Sequence, residues 1–346
     1  MVSHIMDLVQ AAWMIRDLGQ PVSALHIGED ASLIAGGWDG VLKKWDAEGT
    51  LLWDAQCEDR IESILVIGDL VVVTAGLHIT CVRDGEIQWS HALEGSADMI
   101  TSFNGQIIAT SSVYDIEHGD FMESGVWNFA LDGELIEVNR MDEKPWFIHS
   151  GSDLVIGLGR PKCGVLIGDK YQDLATESPV TCGVSGREKI LFGHADGTIS
   201  SIDGTEISKE ESSIESLLCT EKGFVSALET GLLVARSSDS NELWTGPGSQ
   251  ITTQTVGFNN LHWCGRWQIT TGLVEVRDSN GKVLTSASTS RPRVSNSSER
   301  RVGIGFDDGQ VLVWEKELFE RRSNEKPTAT DGRKSALAAK LRSLRE

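Results

Sequence analysis

The densest run of chemically capable side chains is Tyr114-Asp115-Ile116-Glu117-His118-Gly119-Asp120-Phe121-Met122-Glu123, which places four carboxylates and an imidazole within nine positions. Oxygen and nitrogen donors of this kind suit a divalent cation. The spacing departs from the EF-hand calcium loop, with its regular Asp/Asn alternation and closing Glu. A solvated acidic loop is therefore the expectation, with protein contact rather than ion binding as its role if it has one, and no metal site is assigned. Catalytic patterns are thin: there is no Gly-x-Ser-x-Gly elbow, no phosphate-cradling glycine loop before a helix and no His-Glu-x-x-His. The eight histidines never fall at ligand-pair spacing. A second group, Trp38, His78, Tyr114, Arg160, His194, Arg266 and Trp267, lies in or beside turns between apolar runs. Trp, Tyr and Arg are favoured anchors of protein interfaces, so these seven are the candidate contact residues. Asp39-Gly40, Asp196-Gly197 and Asp308-Gly309 beside them are read as turn residues.

Whether those turns can act together depends on the elements that carry them. Residues 33–53 read as strand, Asp-Gly turn, strand, Asp/Gly turn and strand, a meander of hairpins. The same grammar returns around 71–89, 107–136, 154–171, 190–207, 224–244, 262–284 and 302–314. After the second turn of each copy a large residue recurs: Trp13, Trp53, Trp89, Ile136, Tyr171, Ile207, Trp244 and Leu284. The steps are 40, 36, 47, 35, 36, 37 and 40 residues, the period of four-stranded propeller blades. The long third step holds the 114–123 insertion. Trp45, Trp127 and Trp314 mark a second register at the end of the third strand. A bulky ring at either register is expected to fill the wedge between neighbouring sheets.

The run Asp46-Ala47-Glu48-Gly49-Thr50-Leu51-Leu52-Trp53 resembles the repeat of quinoprotein-type propellers, and Asp84-Gly85-Glu86-Ile87-Gln88-Trp89 is a shorter version. Trp45-Asp46 and Val313-Trp314-Glu315 look more like the strand end of WD-repeat propellers. The resemblance covers about residues 8–320 and bears on architecture rather than activity. Repeats four and five lack the tryptophans, and no repeat carries Gly-His ahead of its Trp-Asp. The quinoprotein likeness would imply a quinone-bound dehydrogenase. Such enzymes are longer exported chains, often with adjacent cysteines; here no export signal and no Cys-Cys is seen, so no cofactor is expected.

Eight strand triplets begin near residues 22, 61, 99, 146, 180, 215, 251 and 292. The last has no outer strand after Trp314, while residues 8–17 form an outer strand with no triplet before them. Pairing the two closes the ring and hides sheet edges. The expected fold is therefore an all-β propeller of eight blades, or seven if the fourth repeat is irregular, closed by the N-terminal strand and followed by a short C-terminal helix. The propeller is assigned to 1–320 and a flexible linker to 321–332. A basic amphipathic helix is assigned to 333–346, with Leu337, Leu341 and Leu344 on one face and Arg333, Lys334, Lys340 and Arg342 as its charges.

With Lys+Arg at 31 and Asp+Glu at 51 the net charge is −20, which disfavours a body-wide nucleic-acid or anionic-membrane surface. Residues 323–346 carry +3, enough for weak nucleic-acid affinity only. No apolar stretch approaches a membrane span, and the six scattered cysteines read as reduced thiols of a cytoplasmic protein. The leading expectation is a monomeric, non-enzymatic scaffold that binds partner proteins through its loop rim and C-terminal helix. The alternatives are an enzyme or small-ligand binder at the channel mouth, and a nucleic-acid- or ribosome-associated protein acting through the tail.

Overall fold

Each repeat folds as the alternation of its residues dictates: a second strand buried on both faces, a third strand buried in part, a half-exposed outer strand, and glycine or aspartate at the reversals. In the computed structural model, which describes residues 6–324, these strands form eight four-stranded antiparallel sheets. Blades 1 to 7 span residues 22–56, 61–92, 96–141, 145–172, 180–209, 214–246 and 250–289. Blade 8 takes three strands from 292–315 and its outermost strand, Met14–Asp17, from the other end of the chain. Met14 pairs with Val313 and Asp17 with Gln310. Ring closure by the N-terminal strand and the count of eight blades match the sequence reading, and blade 4 is regular in topology although its third and fourth strands are short.

The innermost strand of every blade packs against its counterparts on either side, so these strands line a central channel. Each innermost strand carries a register shift near its start, from Val22/Ala24 in blade 1 to Pro292/Val294 in blade 8. A bulge adds local twist, which suits strands converging on an axis. The core is not one mass but eight apolar clusters, one per blade interface. Trp45, Trp127 and Trp314 are each buried in one of them, as expected for that register. Between blades 4 and 5, where tryptophan is missing, Phe147, Leu174, Val180 and Phe192 fill the wedge instead.

The outer register corrects the sequence reading. Trp13, Ile136 and Leu284 are exposed and Trp53, Trp89 and Trp244 half-buried. These rings lie over a turn of the next blade rather than deep in the wedge. Trp89 Nε1 donates to the Leu131 carbonyl (3.1 Å) and Trp13 Nε1 to that of Ala47 (3.5 Å). The glycine of that turn is required twice over. At Gly133 (φ +91°) and Gly281 (φ +81°) a Cβ would come within 2.6 Å of Trp89 and 2.5 Å of Trp244. The turn glycine and the tryptophan of the preceding blade are thus one device.

The ends differ from expectation in two further ways. The N-terminal strand is only Met14–Asp17; Leu8 and Ala11 turn back and bury against Trp314, whose Nε1 donates to the Leu8 carbonyl (2.8 Å). Residues expected to open the linker are helical, in Lys316–Asn324. Glu315 caps this helix by accepting from Leu318 N (3.0 Å), and Phe319 packs on Phe258 and Trp263. The helix expected over 333–346 lies outside the described residues, as do Arg333, Lys334, Leu337, Lys340, Leu341, Arg342 and Leu344.

Candidate functional site

Strand direction alternates along each blade, so two sets of loops emerge on one face: the turns joining second and third strands, and the links from each outermost strand to the next innermost one. Backbone hydrogen bonds tie the two sets together, as in Cys57 N to Gly40 O (2.8 Å), Leu93 N to Leu77 O (2.8 Å) and Glu210 N to Gly197 O (2.9 Å). This upper face is where the sequence placed its contact residues.

Blade 3 dominates it. Its second and third strands, Gln106–Asp115 and Asp120–Phe129, run ten residues each, against three to seven in the other blades. The hairpin therefore projects, carrying Tyr114, Ile116 and Met122 exposed. At its tip Asp115 folds the loop on itself, accepting from Glu117 N (2.7 Å) and paired with His118 Nδ1 (2.9 Å). Among the described residues no three His, Cys, Asp or Glu side chains converge as metal ligands. Behind the tip Tyr114 meets Phe121 edge-on (5.1 Å between centroids) and Phe121 meets Trp146 (5.9 Å). Lys144 Nζ lies 3.7 Å from the Phe121 centroid and 4.4 Å from that of Trp146. Burial lowers the Lys144 ammonium and raises the Asp98 carboxyl 3.6 Å away, their mutual attraction opposing both shifts. Arg160 joins this patch through Asp120 (3.2 Å), beside a cleft of about 290 Å³.

Trp38 and Trp267 fall on the opposite side of the channel, each half-buried under arginine: Arg60 and Arg293 over Trp38 at 4.4 and 4.9 Å, Arg291 over Trp267 at 5.4 Å. His78 is half-buried at the start of a blade 2 strand, apart from both groups.

Two of the seven candidates are in the wall, not on the rim. His194 is fully buried, with Nδ1 on the Ser178 carbonyl (3.0 Å) and Nε2 on Ser200 Oγ (2.7 Å), and burial lowers its pKa. Arg266 is 1% exposed. It donates to the carbonyls of Gly231, Gly246 and Ser249 and to Glu275 (2.9 Å), stitching blade 6 to blade 7. His194 ends its strand and Arg266 lies within His262–Gln268, both with side chains turned into the wall, which a turn-based reading overlooks. Conversely, Arg60, Lys144 and Arg291 were missed because they belong to the links rather than the turns. The signal was available: in an antiparallel four-strand repeat both loop sets must leave on the same face.

No family model and no curated protein matches the chain. Among solved structures it is similar to BamB from Moraxella catarrhalis, at 13% identity and a TM-score of 0.72, covering 88% of this chain and 97% of that one. It is also similar to Sqt1 of Saccharomyces cerevisiae, at 12% identity and a TM-score of 0.71, covering 88% and 98%. The WD40 β-propeller domain of Doa1 aligns at 15% identity and a TM-score of 0.54, covering 89% and 98%. At these identities the likeness shows the fold: a β-propeller resembling the WD40 and BamB types.

Proposed function

We propose that the protein is a non-enzymatic, cytosolic interaction platform whose blade 3 hairpin and adjoining cleft bind a partner protein. The observation that carries this reading is the projecting hairpin, with Ile116 88% exposed beside Tyr114 and Met122. Apolar side chains held out this far gain from burial only when a second surface covers them. Trp146 and the Phe121–Lys144 stack provide a rigid aromatic base of the kind that anchors interfaces. WD40-type propellers commonly serve as protein scaffolds, which supports the reading by likeness of fold alone. The burial of His194 and Arg266 favours contact over catalysis, because both are committed to holding the wall.

The test is affinity capture with the full chain, the Ile116→Ser/Met122→Ser variant and a chain ending at Asn324. The hairpin variant should lose its specific partner while keeping the wild-type melting temperature. Undiminished recovery by that variant would reject the hairpin as the contact. The shorter chain reports on the second contact proposed for the tail leucines and basic residues.

A further inference from the structure

A protein of net charge −20 gathers three arginines at one mouth of its channel. The site lies where the innermost strands of blades 7, 8 and 1 begin, and encloses about 210 Å³ between Trp38, Arg60, Thr252, Arg291 and Arg293. Arg60 is paired with Glu62 (2.7 Å) and Arg293 with Asp307 (2.5 Å). Arg291 has no ion-pair partner among the described residues, and its guanidinium lies over the Trp267 ring at 5.4 Å.

Besides Arg60 Nε, which faces the Glu62 carboxylate at 2.7 Å, three buried polar atoms around the site lack a hydrogen-bond partner: Trp38 Nε1, Arg291 Nε and Thr252 Oγ1. The first two can only donate, and the third can. Leaving buried donors unmade is costly, and the cost falls away when an acceptor arrives. Two further features make the site prepared rather than accidental. Guanidinium groups over both indoles fix the arginine planes. The donors also come from three separate elements: Trp38 from a blade 1 turn, Thr252 from the first strand of blade 7 and Arg291 from the link into blade 8.

We propose that this channel mouth binds an acidic segment of a partner protein, with Arg291 taking a carboxylate and Trp38 Nε1 and Thr252 Oγ1 donating to acceptors beside it. It shares the upper face with the blade 3 hairpin but none of its residues, so it extends the platform reading and is separable from it.

The experiment is a fluorescence-anisotropy titration of the full chain with a short labelled peptide alternating Asp and Glu with Gly and Ser. Its counterpart carries Asn and Gln in place of the acids. Saturable binding of the acidic peptide is expected, about tenfold or more tighter than the neutral one, and weakening as salt is raised. Arg291→Ala should lose about tenfold, and Trp38→Phe, which keeps the ring but removes the donor, should lose several-fold at unchanged melting temperature. Equal binding of the two peptides, or full binding by Arg291→Ala, would overturn the proposal. So would binding of inorganic phosphate without the acidic peptide. Ile116→Ser/Met122→Ser should bind the peptide normally, so failure here and failure of the hairpin reading are distinct results.

Discussion

Trp314 and Trp13 are 1% and 46% exposed, and the difference follows from what each ring meets. Trp314 lies in the blade 7–8 cluster against Trp263 and the returning N-terminal residues; Trp13 rests on the outside of a turn. Trp314→Ala should therefore cost about 3–5 kcal/mol, Trp53→Ala and Trp89→Ala about 1–3, and Trp13→Ala about 1 or less. Urea unfolding midpoints give the order; equal losses at all four would contradict the two-depth assignment. His262 carries the clearest acid sensitivity. It donates through Nε2 to Gln254 Oε1 (2.9 Å), its Nδ1 is buried without a partner, and burial holds its pKa at about 3. Between about 3 and the ordinary 6.5 the unfolded chain takes up a proton that the folded chain does not. Stability from this residue is thus constant above pH 6.5 and falls as pH drops through that window. His26 and His194 shift the same way, while burial raises Asp98 and Glu215 and opposes the trend at lower pH. His262→Gln keeps the donor and should flatten the decline between pH 6.5 and 5, read as denaturant midpoints of variant against wild type. Composition named these residues but not their surroundings: Arg266 and His194 looked like rim residues because nothing in their types says which side of a strand they take.

At the scale of elements, the short strand Met14–Asp17 covers the outer edge of the blade 8 strand Gln310–Glu315, and the segment before it ties blades 7 and 8. Thr285 Oγ1 donates to the Met6 carbonyl (2.8 Å), as Trp314 does to Leu8. Removing residues 1–17 should bare the apolar edge at Val311–Val313 and uncover Trp314. Size-exclusion chromatography is expected to show aggregation, and thermal unfolding to lose its single transition. A monodisperse variant with the wild-type melting temperature would contradict that role. The start of the innermost strand was legible to within three residues in every blade, because period-two alternation and Asp-Gly reversals are local signals. The bulge near the start of each innermost strand was not, since it answers to the neighbouring strand rather than to its own residues. Nor was the Lys316–Asn324 helix, whose docking depends on Phe258 far away in sequence.

The whole molecule is a circle of like interfaces, an acidic body with Arg60, Arg291 and Arg293 together at one mouth of its channel. Because each blade buries its face only on the next, seven interfaces join consecutive blades. The eighth, where Val22, Leu25 and Ile27 of blade 1 meet Val311 and Val313 of blade 8, joins the two ends. Met14 pairs with Val313, 299 positions later in the chain. A ribosome adding roughly 5–20 residues per second makes the N-terminal strand wait some 15–60 seconds for its mate. Through that interval the early blades can stack in order of emergence, while the first face of blade 1 stays uncovered. Vectorial synthesis thus gives this ring a fixed last step, and that step is the closing of blade 8 on the strand made first.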